Sequence, residues 1–282
     1  MQASKLLPHG VGTVRKAFVD LSLEIHRGER IALFSGNAYE SRTLLECLSG
    51  IETPDQGSVL HHGSVSWPLG TNQAFDKKLS GYMNARFAAE IYSQSGRIDE
   101  DLKLIQELAG VDDRTFHEPL AAWRSAMRKS LELAVSLAFE FDATLVGKIS
   151  SWNHRVRHPH AVRIRQVFEQ RIEGRTLLVA APGQHELALD YCDEGLVIFE
   201  GRLAYRGDVE VCMEMVKEEA QRLRAERRQR VNARIARLLA DDSGALDDFD
   251  SDEFEEDDLE MDEPAADQSD QRAVPAGSML PS

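Results

Sequence analysis

The stretch Arg30–Gly50, RIALFSGNAYESRTLLECLSG, constrains the fold more tightly than any other. A short apolar run, a cluster of small and polar residues and then leucines at helical spacing predict a strand, a turn and a helix. That is the outline of a phosphate-binding loop, G-x-x-x-x-G-K-[ST]. In such a loop the glycines let backbone N–H groups close on phosphates, the lysine reaches the terminal phosphates and the hydroxyl joins magnesium. The frame here holds Ser35, Gly36, Asn37, Ala38, Tyr39, Glu40, Ser41, Arg42 and Thr43. The scaffold is kept, but the residues that grip a phosphate are absent.

The surrounding pattern alternates strands with helices. Phe18–Ile25 alternates as a strand does, ERIALF is a short buried strand, and SVLHHGSVSW continues in extended form. Helical periodicity dominates from about Gly81 to Phe139. Ala143–Val146, Arg175–Ala181 and Glu194–Gly207 return to strands, the last as a hairpin around Glu200-Gly201. This order predicts an α/β domain over residues 1–207 with a largely parallel sheet and a helical subdomain at about 81–140.

A helix follows over 208–240. Met213, Val216, Ala220, Leu223, Val231, Ile235 and Leu238 recur on it at helical spacing, among Arg222, Arg224, Arg227, Arg228, Arg230, Arg234 and Arg237. Such a stripe packs on its own domain or on a twin helix, and the arginines read as solvated charge rather than as a face for a membrane surface or RNA.

Net charge is −15, but it belongs to one segment. Asp241–Ser282 hold 16 of the 48 acids and one of the 33 bases, leaving 32 of each in the remainder. A segment so acidic and so poor in branched apolar residues cannot offset its ordering entropy, so 241–282 is expected to be a disordered acidic tail. It is either a solubilising tail or, through Phe249, Phe254 and Leu259, a segment that docks on a partner or masks the arginine helix. Three scattered cysteines, Cys47, Cys192 and Cys212, fit a reduced compartment. No apolar window approaches a membrane span, and no signal-peptide core is present, so a soluble chain reaching membranes only through a partner is expected.

The order of segments resembles the ATP-binding subunits of ABC transporters, and more narrowly those of capsular polysaccharide exporters. The likeness runs from about Phe18 to Lys217. It is carried by Ser66–Gly70 (SWPLG), Leu79-Ser80-Gly81 with Asn84 and Arg86-Phe87, Ile91-Tyr92, Leu133–Asp142, Gly174–Val179, and Tyr191–Asp193 ahead of a strand ending in Glu200-Gly201. The resemblance implies an ABC-type nucleotide-binding domain with a helical subdomain, working with a transmembrane permease and a second nucleotide-binding subunit, with no nucleic-acid partner.

Carried across by position, the resemblance puts the family's functional motifs on residues unsuited to their roles. The loop lysine falls on Ser41, the magnesium hydroxyl on Arg42 and the last loop glycine on Glu40. The metal-binding acid and the catalytic glutamate fall on Gly147 and Lys148, beyond Val146. The glutamine ahead of the helical region falls on Asp76, with Gln73 nearby; the signature falls on Arg124, Ser125, Ala126 and Met127; the switch histidine falls on Pro182 or Gly183, with His185 close.

A carboxylate about 4 Å from a phosphate costs about 4 kcal/mol per like-charge pair at an effective dielectric near 20, roughly a thousandfold in affinity. Loss of a general base alone removes about 10²- to 10⁴-fold in rate. The expected function is therefore that of a pseudo-ATPase, with no catalytic residue, no metal and no cofactor. ATP and magnesium enter only if Arg42 and Thr43 rescue the site and the chain is an active exporter ATPase; a soluble adaptor acting through the arginine helix and tail is a further alternative.

Other residues carry two readings each. Asn153, His154, His158 and His160 form either an exposed loop or a metal cluster. Trp123 and Trp152 are packing or interface anchors, the latter favoured. Tyr39 fills phosphate space or faces solvent.

Overall fold

A computed structural model gives the fold over residues 2–8, 14–36, 38–70, 75–94, 96–149 and 158–240. These residues fall in one compact unit, Met1–Ala240. Its centre is a five-stranded sheet ordered β5-β6-β3-β7-β8. Four strands are parallel: β3 (Arg30–Ser35), β5 (Ala143–Val146), β6 (Thr176–Ala180) and β7 (Glu194–Phe199). The fifth, β8 (Arg202–Gly207), returns antiparallel through the Glu200-Gly201 turn.

The parallel strands are continuous apolar runs because both of their faces are covered. Ile31 and Leu33 of β3, with Leu145, Leu178, Ala180, Leu196 and Ile198, pack under helix α1 (Ala38–Ser49) through Leu44, Leu45 and Leu48. Ala32 and Phe34, with Val146, Leu177, Val179 and Val197, face the opposite layer. That layer holds α6 (Pro159–Ile172), α7 (His185–Tyr191) and the start of α8 (Val209–Ala240).

A second sheet, ordered β2-β1-β4, is antiparallel: β1 (Gln2–Pro8), β2 (Val14–Ser22) and β4 (Gln56–Ser58). The alternation in Phe18–Ile25 belongs to β2, which begins earlier and stops at Ser22. The extended stretch after Ser58 is irregular, with an isolated bridge from Val65 to Ala143 and another from Leu69 to Val146. It nevertheless borders β5, since Ser66 N donates to Ala143 O at 2.9 Å and Leu69 N to Leu145 O at 2.8 Å. Gly70 closes that border at φ +81°, where an added Cβ would lie 2.1 Å from Lys148 O.

The helical subdomain consists of α2 (Gly81–Tyr92), α3 (Ile98–Ala109), the single turn α4 (Asp113–Phe116) and α5 (Ser125–Ala138). Ser80 caps α2 by accepting from Met83 N at 3.1 Å. Trp123 sits inside this unit with 4% exposure, its indole donating to Glu118 O and its ring filling the space beside Gly81. It is a packing residue and not an interface anchor. Trp152 lies outside the described residues.

In α8 the first turns bury Val209 and Cys212 and half-bury Met213 and Val216, while every residue from Gln221 to Arg234 is exposed. Among the residues whose side chains are described, the apolar stripe packs at its beginning, whereas Leu223 and Val231 face solvent. The acidic segment 241–282 lies outside the described residues.

Candidate functional site

In open parallel sheets ligands bind in the crevice beyond the carboxyl ends of the strands, where connections leave to opposite faces. Here α1 leaves β3 toward one face and α7 leaves β6 toward the other. The register pairs Leu33 with Ala180 and Val146 with Val179, so the ends of β3, β6 and β5 form one rim. Ser35-Gly36, Pro182-Gly183 and Gly147-Lys148 lie along it. The strand order therefore brings together three of the motif positions read from the sequence.

The junction between β3 and α1 departs from an open phosphate loop. β3 ends at Ser35 and α1 opens at Ala38, so two residues, Gly36 and Asn37, separate strand from helix. In the ordinary motif a longer glycine-rich loop comes first, and G-K-[ST] opens the helix whose amino end meets the phosphates. Ala38, Tyr39, Glu40, Ser41, Arg42 and Thr43 are all helical here. Asn37 itself lies outside the described residues.

In the sequence, Asn37-x-x-Glu40 is a helix-start pattern, a capping-type residue followed three positions later by a glutamate. The remaining loop glycine is not needed for its backbone freedom. Gly36 is absent from the positive-φ glycines, and an added Cβ there would meet only Phe199 at an ordinary 3.7 Å.

The side chains of this turn point in different directions. Glu40 is buried, 6% exposed, in the first turn of the helix. Ser35 Oγ and Ser41 Oγ, both buried, share a hydrogen bond of 2.5 Å that ties the strand end to the helix. Thr43 is buried behind them. Tyr39 is 46% exposed and faces solvent rather than filling phosphate space. Arg42 lies on the outer face, its Nε donating to Glu46 Oε1 at 2.9 Å within α1. The cation that could have replaced the missing lysine is thus engaged on the outside of the helix.

The other motif positions are held by structural contacts. Gly147 is buried and its N–H donates to Leu69 O at 2.8 Å; Lys148 is exposed. Gln184, which the sequence reading passed over, is 7% exposed and donates from Nε2 to Ile149 O at 3.0 Å, joining the exit of β6 to that of β5. Pro182 and Gly183 form the turn before it, and His185 opens α7 on the surface.

Asp76 builds the entry to α2. Its Oδ1 accepts from Lys78 N at 2.8 Å and its backbone N–H donates to Asn84 Oδ1 at 3.0 Å. Gln73 lies outside the described residues. Arg124, Ser125 and Ala126 are exposed at the opening of α5, and Met127 is half-buried against the core.

The remaining candidates do not gather into a site. His158 caps α6, its Nδ1 accepting from His160 N, and His160 Nε2 lies 2.9 Å from Leu108 O. Asn153 and His154 lie outside the described residues, and among the described residues no group of three metal-ligating side chains exists. Burial pushes the thiols of Cys47 and Cys212 up to about 11 and that of Cys192 up to about 12, which keeps them protonated and unreactive.

A parallel sheet with a helix opening at the end of its central strand, a separate helical subdomain and a small antiparallel sheet agrees with known structures. The dimeric ATP-binding cassette MJ0796 in a post-hydrolysis state bound to ADP and Pi superposes with a TM-score of 0.58 at 13% identity. The match covers 74% of this chain and 97% of that one. The fold is that of an ABC cassette.

No protein-family model matches the chain. The polysialic acid transport ATP-binding protein KpsT of Escherichia coli is 29% identical over 181 residues, 64% of this chain and 78% of its own length. The capsule polysaccharide export ATP-binding protein CtrD of Neisseria meningitidis serogroup B is 29% identical over 206 residues, 71% of this chain and 89% of its own. The chain resembles capsule-export ATP-binding subunits, and among the described residues no helix is long and apolar enough to cross a membrane.

A cassette of this kind implies ATP and magnesium, and the residues on the rim do not fit them. Ala38 and Tyr39, loop positions of the motif, are inside α1, a buried carboxylate stands in its first turn, and the end of β5 offers Gly147 and Lys148 where a metal needs oxygen ligands.

Proposed function

We propose that this protein is a catalytically degenerate ABC subunit that takes a structural or regulatory place beside a polysaccharide export permease. It would pair there with a second nucleotide-binding subunit, a twin or an intact paralogue. One observation carries the reading: at the rim where an ABC cassette holds nucleotide, α1 opens at Ala38 with Glu40 buried in its first turn, and neither a loop lysine nor an acid at the end of β5 is present. Phosphoryl transfer depends almost wholly on positioned cations and metal ligands, so a rim without them retains little of its catalysis.

The docking role is supported by α2. Met83, Phe87 and Ile91, spaced by four residues, are 51%, 68% and 56% exposed, and Leu79 extends the stripe at 37%. Large apolar side chains aligned on one exposed helix face mark an interaction surface. The relatives' roles in capsule polysaccharide export and polysialic acid transport support a cytosolic segment of a permease as the occupant, and with it a position on the inner face of a membrane through that partner.

Calorimetric titration of the purified full chain with ATP and magnesium, together with a phosphate-release assay, tests the reading. No divalent-dependent release and no tight binding are expected. Micromolar binding abolished by Thr43→Ala, or magnesium-dependent turnover, would establish an active exporter ATPase instead.

A further inference from the structure

We propose that Glu40 is a tethered substitute for phosphate: its carboxylate supplies the negative charge that the amino end of α1 would otherwise draw from a ligand. The proposal rests on the reading of this rim as a lapsed nucleotide site. The first N–H groups of a helix have no partners within it, and together with the helix dipole they favour an anion. In a working phosphate loop the nucleotide meets that demand. Here α1 is 12 residues long, and the acid in its first turn is Glu40, at the third helical position and 94% buried.

A buried carboxylate is expensive unless charge or dipole compensates it, and the start of α1 is the compensating element that the sequence places beside Glu40. The residue also stands where the frame expects the last loop glycine. One change therefore removes the room for a phosphate and supplies its charge. The Ser35–Ser41 hydrogen bond closes the same turn from the strand side. The junction is held shut by covalently attached groups, and the subunit can keep its shape without nucleotide.

Chemical rescue tests the idea on the full chain. Glu40→Ala removes the charge and leaves an anion-sized space at the helix end, whereas Glu40→Gln removes the charge and keeps the volume. Both variants are expected to melt below the wild type. Inorganic phosphate at about 20 mM, against chloride at matched ionic strength, is expected to raise the melting temperature of Glu40→Ala by about 3 °C and to leave the wild type and Glu40→Gln within about 1 °C.

A Glu40→Ala variant indifferent to phosphate, or a wild type that gains as much, would overturn the proposal. If Glu40→Ala does not fold, Glu40→Gln decides: a melting temperature equal to that of the wild type would show that the charge is not needed. The readout is separate from turnover. Failed rescue would leave an inactive cassette inactive, and an unexpectedly active chain would still give a readable rescue result.

Discussion

Replacing Phe87 by alanine should separate docking from folding. Complete burial of a phenylalanine is worth about 1.5 to 3 kcal/mol relative to exposure. With 68% of Phe87 exposed in the free chain, about two-thirds of that gain, roughly 1 to 2 kcal/mol, is available only when a partner covers it. Loss of the ring should therefore weaken association with the permease about 5- to 30-fold. The free chain should melt within about 1 °C of the wild type, because substitutions at exposed positions fall within about ±0.5 kcal/mol.

The assay is co-purification of the full chain with membranes carrying the permease, titrated by chain concentration, alongside thermal melting of the soluble chain. A variant that binds membranes as well as the wild type would refute the assignment of α2. A variant that melts several degrees lower would show that Phe87 supports the fold and that its exposure has been misread. Met83→Ala and Ile91→Ala, on the same stripe at 51% and 56% exposure, should follow with smaller losses.

Two further outcomes follow from packing and charge. Gly70→Ala should lower the melting temperature by about 5 °C or more, measured by calorimetry, because φ is +81° and the new methyl would meet Lys148 O at 2.1 Å, a backbone atom that cannot swing aside. Glu140 accepts from Arg175 Nη2 at 2.7 Å and Arg171 Nη1 at 2.9 Å, and the Arg175 hydrogen bond foremost holds its carboxyl below the usual range. A lowered folded-state value means stabilisation that is complete above the ordinary carboxylate range and lost as pH falls through the folded-state value. Glu140→Gln should therefore be about 1 kcal/mol less stable than the wild type at neutral pH, after allowance for a side chain one-third exposed, and the gap should close below about pH 4 in denaturant titrations.

The parallel sheet was legible because its strands obey a simple rule. Strands covered on both faces must be continuous apolar runs, and Ala143–Val146, Thr176–Ala180 and Glu194–Phe199 are such runs bounded by turn residues. β1 was hidden because Lys5, Pro8 and a short polar start break its alternation. The lysine is satisfied by distant residues, Thr53 O, Glu52 and Asp55, a pairing that no local pattern announces.

Missing motif residues could be read from spacing alone, but the course of the chain at Ala38 could not, since a frame search assumes the loop it looks for. The cue lay in Asn37-x-x-Glu40, which favours an early helix over an open loop. Gln184 was overlooked because a lone glutamine beside two turn residues carries no chemistry until Ile149 O is found within its reach.

Sheet order, layer packing and subdomain arrangement depend on dozens of apolar contacts that tolerate exchange among similar side chains. Phosphate binding depends on a handful of groups in fixed places, and here three of those places hold residues tied to the local structure: Ser41 bonded to Ser35, Gly147 bonded to Leu69 and Asp76 to the turn before α2. On the proposed reading, a rim closed by its own hydrogen bonds would need no ligand, and a subunit whose shape did not vary with nucleotide would hold an assembly in register throughout the cycle of an active partner.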